Sequence, residues 1–381
     1  MEFASRPARE KTIAMLENLR GISSKIDEFL ESSSQNPTIA LYGAGFAMPA
    51  ILDKLERYGF SVVAICDSDT SKHGKSFRGI YPVMSVEQAK SANPDARFLI
   101  SSPEYFDEIS KFLGGILDEH QLCDVDLECA HYFEKGEFHA FFNSDFDRFS
   151  KVHELLEDDG SKETYFRVIK AHMSGERKDF EEAFTGNDDW YLFQSLLKPT
   201  ADTLYVDCGA YDGDTIRLLL RAADQGYRSI VALEPDPAML PRLNAISEEQ
   251  GGKIEIVPKG ASDKDGILKF KANGVYSAIV ENCTEDDDLI SISTTKLDSL
   301  LKNDRVSIIK MDIEGGEYDA LNGAAEIIAN HKPKLAICLY HKVEDFVRIA
   351  ELLLQLVPEY KLSLRHQTKS CTDTILFATL D

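Results

Sequence analysis

The chain is short of basic residues, has a single tryptophan and no Cys-x-x-Cys pair, and contains no apolar run long enough to span a bilayer. Each shortage excludes something. Lysine and arginine number 42 against 65 aspartates and glutamates, a formal charge of −23. The basic footprint that binding to a phosphate backbone requires is therefore missing, and no nucleic-acid partner is expected. Without about 20 consecutive apolar residues no membrane span is expected. The segment after Met1 to Glu10 lacks the apolar core of a signal peptide. The seven cysteines, at 66, 123, 129, 208, 283, 338 and 371, are odd in number, and several lie inside apolar strands. They read as reduced, mostly buried thiols of a cytoplasmic protein, and the regular spacings of structural zinc are absent.

What is present is a chain of 381 residues, enough for two domains. It is organised around residues 203–215, TLYVDCGAYDGDT. Leu204 to Cys208 reads as a short buried strand, followed by a glycine-bearing turn and a helix through Ile216 to Ala223. Gly209 and Gly213 let the backbone approach a ligand, and the turn leads to a helix N-terminus. The spacing Asp-x-Gly-x-x-x-Gly differs from that of dinucleotide binders. A second apolar strand, 229–233, ends in Glu234 about twenty residues later, where doubly wound sheets place the acid that meets ribose hydroxyls.

Three stretches then share a pattern: 206–215 (VDCGAYDGDT), 233–236 (LEPD) and 309–317 (IKMDIEGGE). In that order they resemble the FkbM-like family of S-adenosylmethionine-dependent methyltransferases, over about residues 140–381. The resemblance implies an S-adenosyl-L-methionine site and, commonly, O-methylation of sugar or polyketide hydroxyls. Carried onto this chain, Asp207 would orient the methionine end. Gly209, Ala210 and Gly213 would approach it by backbone, with Tyr211, Thr215 and Pro235 beside them. Glu234 would hold the ribose, and Ser262 or Asp263 would meet the adenine.

Asp312 and Glu314 alternate along the end of a fourth strand, which predicts that both face one side at the carboxyl edge of the sheet. A fifth strand, 334–341, ends in His341, with Asp345 opening the next helix. The family resemblance also covers Tyr340-His341-Lys342 and Arg365-His366. His341 is the expected general base because an unperturbed imidazole titrates near neutral pH. Asp312 is the alternative base or a methionine-end contact. Glu314, Glu317 and His366 would complete the acceptor pocket. No ligand spacing demands a metal; a divalent cation held by Asp312, His341 and a neighbouring acid would act by lowering the acceptor hydroxyl's pKa.

The expected fold class is α/β: a doubly wound, Rossmann-like methyltransferase sheet, mostly parallel with an antiparallel closing hairpin. A smaller N-terminal Rossmann-like domain and a helical connector accompany it. The boundaries read as an N-terminal helix at 1–36, the small domain at 37–124, the connector at 125–200 and the methyltransferase domain at 201–381. The small domain opens with an apolar strand into Gly43-x-Gly45 and reaches Asp67 at the end of its second strand. Met48 stands where a dinucleotide fingerprint has its third glycine, which disfavours a tight NAD site. A nucleotide-sugar, or a structural or dimerising role, is the preferred reading there, and a homo-oligomer is left open. Two alternatives to the methyltransferase remain: an NAD-dependent or nucleotide-sugar-binding enzyme centred on this domain, and a non-catalytic binding protein. Finally, residues 267–295 read as a strand or hairpin inserted over the site, with the acid-rich 281–288 as a solvated loop.

Overall fold

The computed structural model describes residues 13–35, 37–45, 47–123, 125–128, 132–186, 189–271, 278–279 and 289–380. The chain divides into two compact units. Unit 1 comprises Met1–Phe146, Phe166–Phe184 and Thr368–Thr372; unit 2 comprises Asp147–Tyr165, Thr185–Gln367 and Asp373–Asp381. The stretch 125–200, expected as a helical connector, is shared between them. It carries the helices Glu137–Ser144, Phe146–Leu155, Asp159–Ser174 and Arg177–Ala183.

Unit 1 is built on β1 (Thr38–Tyr42), β2 (Ser61–Cys66), β3 (Ser76–Phe77), β4 (Tyr81–Met84), β5 (Arg97–Ile100) and β6 (Leu122–Cys123). They form one sheet in the order β3-β4-β2-β1-β5-β6, parallel except for the β3–β4 pair. The β1, β2 and β5 sequences are short apolar runs, as strands covered on both faces must be. The helix expected over 11–31 is interrupted. Residues 13–17 are helical, a 3-10 turn follows at Asn18–Gly21, and a new helix starts at Lys25, capped by Ser24 Oγ, which accepts from the Asp27 amide at 3.1 Å.

Unit 2 holds β7 (Leu204–Cys208), β8 (Ser229–Leu233), β9 (Ile254–Val257), β10 (Gly260–Ala261), β11 (Gly266–Lys271), β12 (Ala278–Ile279), β13 (Leu289–Thr295), β14 (Ile308–Met311), β15 (Lys334–Cys338), β16 (Lys361–His366) and β17 (Thr374–Thr379). Its main sheet runs β16-β17-β15-β14-β7-β8-β9. β9, β8, β7, β14 and β15 are mutually parallel; β17 and β16 close the sheet antiparallel. This is the doubly wound α/β architecture read from the sequence. The order reverses between β7 and β14, and that switch point opens a crevice at the strands' carboxyl ends. The parallel register aligns those ends: Cys208 lies opposite both Leu233 and Met311.

β10 to β13 form a separate four-stranded sheet in the order β10-β13-β11-β12. The acid-rich 281–288 lies outside the described residues.

Two helices differ from expectation. The one expected over 237–249 begins at Leu240, because Asp236 Oδ1 accepts from the Ala238 amide and holds 237–239 as a turn. The one expected from 317 to 329 is split into Glu317–Asn322 and Ala325–His331. The Gly323 carbonyl accepts from the Asp298 amide, and its Cα packs so closely on Ser262 that a Cβ would lie 1.9 Å from the Ser262 carbonyl oxygen. No helix among the described residues is long and apolar enough to cross a membrane.

Candidate active site

The carboxyl edge of β7, β8, β14 and β15 gathers the polar residues of unit 2. Gly209, first after β7, sits at φ +79, a conformation that a side chain rarely adopts. A Cβ there would stand 1.9 Å from the Asp312 carbonyl oxygen, so glycine is required both by dihedral and by space. Tyr211 is also left-handed, at φ +45. Strained backbone of this kind persists where its surroundings fix it, commonly at functional sites. Gly213, at φ +86, caps the helix Asp214–Ala222 and packs against Ile246.

Four amides of this turn are already engaged within the protein. Gly209 and Ala210 donate to the Leu233 carbonyl at 3.0 and 3.1 Å, and Gly213 donates to Ala210 at 2.8 Å. Tyr211 donates to Glu234 Oε2 at 2.8 Å, while Asp236 donates to Glu234 Oε1 at 2.8 Å. Glu234 is buried, and burial raises its pKa above that of an ordinary glutamate. Pro235 beside it is half-buried. Ser262 is buried, its amide bonded to Thr295 and its hydroxyl 3.2 Å from Asp263 Oδ1.

Beneath the turn, Asp207 is fully buried. Its Oδ2 accepts from Thr215 Oγ1 at 2.5 Å, and Lys310 Nζ lies 3.2 Å from its Oδ1. Lys310, itself 2 % exposed, also donates to the Gly209 carbonyl at 2.7 Å. Burial opposes its charge, but Asp207, Asp312 and Asp214 together raise its pKa. Sequence reasoning gave Lys310 no part. A lone lysine in the apolar run Ile308–Met311 was the available signal, and the register pairs it with Asp207.

The second group forms where β14 and β15 end. β14 stops at Met311, and Glu314 lies in a turn at φ +57, so strand alternation does not govern the two acids as expected. They meet nonetheless. His341 Nε2 lies 3.5 Å from Asp312 Oδ1 and 3.6 Å from Glu314 Oε2, and its Nδ1 lies 2.9 Å from Glu317 Oε1. The side chains of Asp312 and Glu314 are 22 % and 21 % exposed, against 2 % for His341 and 0 % for Glu317. The first two therefore face outward and the others stand behind them.

Asp312 accepts from Tyr340 Oη at 3.0 Å and Tyr191 Oη at 3.3 Å. Tyr191 lies outside the three motifs that carry the resemblance. Burial pushes the Asp312 pKa up, but Lys310 and His341 outweigh it and the net direction is down. Burial, then Asp312 and Glu317, raise Glu314 well above an ordinary glutamate.

For His341, burial works against the charged form. Glu317, Glu314 and Asp312 prevail and push the pKa up to about 10. The surrounding acids thus favour the protonated imidazole, where the isolated side chain would titrate near neutral pH. His366 instead ends β16, with Nδ1 2.9 Å from Thr374 Oγ1, its register partner.

In unit 1 the corresponding acid, Asp67, is enclosed. Oδ2 accepts from the Ala44 amide and from Lys72 Nζ, each at 2.8 Å, and Oδ1 accepts from the Asp69 amide. The described cysteines 66, 123, 208, 338 and 371 are buried free thiols.

Comparison with known proteins bears out the resemblance carried by the three motifs. The family model of the methyltransferase FkbM domain matches residues 207–366. The match supports an enzyme whose reaction class is methyl transfer. Among solved structures, methyltransferase FkbM from Methylobacillus flagellatus KT is 22 % identical, with 97 % of this chain and 98 % of that one covered at a TM-score of 0.71, a likeness of fold. An rRNA methylase from Streptococcus thermophilus matches at 13 % identity, covering 48 % of this chain and 90 % of its own, with a TM-score of 0.32. Aeropyrum pernix fibrillarin in complex with S-adenosyl-L-methionine matches at 10 % identity, covering 50 % and 71 %, also at 0.32. No curated protein matches.

Proposed function

We propose that this chain is an S-adenosylmethionine-dependent O-methyltransferase whose acceptor is a hydroxyl of a sugar, glycan or related natural product. The observation that carries the reading is the meeting, at one switch point, of a strained glycine turn, Glu234 and the Asp312–Glu314–His341 corner. The residues fit the cofactor. Gly209, left-handed and closed against the Asp312 carbonyl, turns the chain tightly at the end of β7 and so leaves the rim open to a ligand's approach. Each Glu234 oxygen accepts one amide and so keeps a lone pair, enough for the two hydroxyls of a ribose. Asp67 in unit 1 fails the same test, since Lys72 neutralises and covers it; the NAD-dependent alternative is therefore not taken up. Unit 1 is left as a scaffold or a holder of a nucleotide-linked sugar.

When bound, S-adenosylmethionine supplies a methyl group on a sulfonium whose sulfur leaves with the C–S electron pair. Glu234 holds the ribose, with Tyr211 and Pro235 beside it. Asp207, fixed by Thr215 and Lys310, orients the methionine end. Because the turn's amides are engaged, Gly209, Ala210 and Gly213 contribute close approach rather than donated bonds. Ser262 borders the adenine. Asp312 and Glu314, the outward-facing pair, align the acceptor hydroxyl, and Glu314 takes its proton as the new O–C bond forms. His341 keeps its place in this group by holding the two carboxylates.

Incubation with S-adenosylmethionine and a panel of sugars, oligosaccharides and polyketide alcohols tests this, with products read by mass spectrometry. A product gaining one methyl on oxygen is expected, and loss of that product in Glu314→Gln. Methylation only at nitrogen or carbon contradicts the reading.

A further inference from the structure

Four carboxylates crowd the corner around His341. The turn after β14 contributes Asp312 and Glu314, the following helix contributes Glu317, and the helix after β15 contributes Asp345. Arg348 is engaged by Asp345 at 2.5 Å and Lys310 by Asp207 at 3.2 Å. Glu317 and Asp345 are 0 % exposed, and each keeps one carboxylate oxygen, Oε2 and Oδ2, without a hydrogen-bond donor among the described residues. Such oxygens are costly to bury unless something positive meets them.

A ligand geometry accompanies this crowding of carboxylates. One atom from each of Asp312, Glu317 and His341 can be chosen so that all three lie within 4.8 Å of one another. Bonds of about 2.0–2.2 Å to a single ion place its ligand atoms within roughly 4.4 Å of one another, so small side-chain movements close the set. The supports of a metal centre surround it. Tyr340 and Tyr191 donate to Asp312, and the Ile313 amide donates to Glu317 Oε1 at 2.7 Å.

We propose that Asp312, Glu317 and His341 hold one divalent cation of the first-row type that accepts mixed carboxylate and imidazole ligands, manganese(II) being the fitting probe. His341 binds as the neutral imidazole and gives up its proton on coordination. Three protein ligands leave positions open for an oxygen of the acceptor. Resting on the reading above, the cation lowers that hydroxyl's pKa next to Glu314, which is not one of the three ligands.

The test uses the full chain, stripped with EDTA and desalted, then titrated with MnCl₂ while free manganese is read by electron paramagnetic resonance. About one tightly held equivalent per chain is expected, with binding weakened at least about tenfold in Asp312→Asn and Glu317→Gln. Circular dichroism checks that both variants fold; if the buried Glu317→Gln does not, the partly exposed Asp312 carries the comparison. No manganese bound by the wild type, or undiminished binding by folded Asp312→Asn, overturns the proposal. Titration with S-adenosylhomocysteine in EDTA separates the two readings. Cofactor binding without manganese binding sinks the metal site alone, and manganese binding without cofactor binding sinks the methyltransferase reading alone.

Discussion

Replacing Gly209 with alanine tests the geometry on which the whole site depends. At φ +79 an alanine pays for a left-handed backbone, roughly 1–2 kcal/mol. Its Cβ would also stand 1.9 Å from the Asp312 carbonyl oxygen, about 1.5 Å short of ordinary contact. Forced overpacking of this kind adds typically about 1–3 kcal/mol, and the obstacle is backbone rather than a side chain that can turn away. The expected loss is therefore about 2–5 kcal/mol. Gly226 supplies the control: it has φ +84, but a Cβ added there would meet nothing within 4 Å, so Gly226→Ala should show the dihedral part alone. Urea unfolding of both variants and the wild type measures the difference, and S-adenosylhomocysteine titration of Gly209→Ala reads the consequence for the site. Equal destabilisation of the two variants would refute the close approach of β7's turn to Asp312.

Two further outcomes follow from buried charge. Lys310→Met leaves Asp207 buried without its cation; breaking such a pair costs about 3–5 kcal/mol, and adding Asp207→Asn should recover part of that in a double-mutant cycle. His153 is buried, and burial, then Lys162, lowers its pKa to about 4. Its contribution to stability is present above an unfolded pKa near 6.5 and is lost as pH falls from there through about 4, by up to about 3 kcal/mol. His153→Phe should flatten the wild-type decline across that window in urea titrations at stepped pH; an identical decline would contradict the assignment.

Most of the sheet in unit 2 was legible because parallel strands covered on both faces read as apolar runs, as β7, β8, β14 and β15 do. Helix boundaries were less so, for reasons that lie in distant contacts. The break at Gly323 is stabilised by Asp298, whose side chain accepts from the Glu326 and Ile327 amides. No local pattern announces a cap supplied from that far away. The same holds for the site. Glu234 and Asp312 could be placed just past strand ends from sequence, whereas His341, expected to end a strand over 334–341, lies in a turn three residues beyond β15. The pairing of Lys310 with Asp207 needs the strand order, since only neighbouring β7 and β14 bring them into register. His341 shows the other limit. Its near-neutral reference pKa is a property of the isolated side chain. Three carboxylates from the turn and helix that follow the neighbouring strand β14 move it to about 10.

The most direct test of the central claim is calorimetric titration of the purified chain with S-adenosylhomocysteine, repeated on Glu234→Gln and Glu234→Ala, with NAD and a UDP-sugar as parallel ligands. Hydrogen bonds to a charged group contribute about 1.5–3 kcal/mol. Micromolar binding by the wild type is therefore expected, weakened roughly 10- to 100-fold in the folded variants, with no comparable uptake of NAD. Unchanged affinity in Glu234→Ala would contradict the ribose assignment, and binding of NAD alone would move the active site to unit 1.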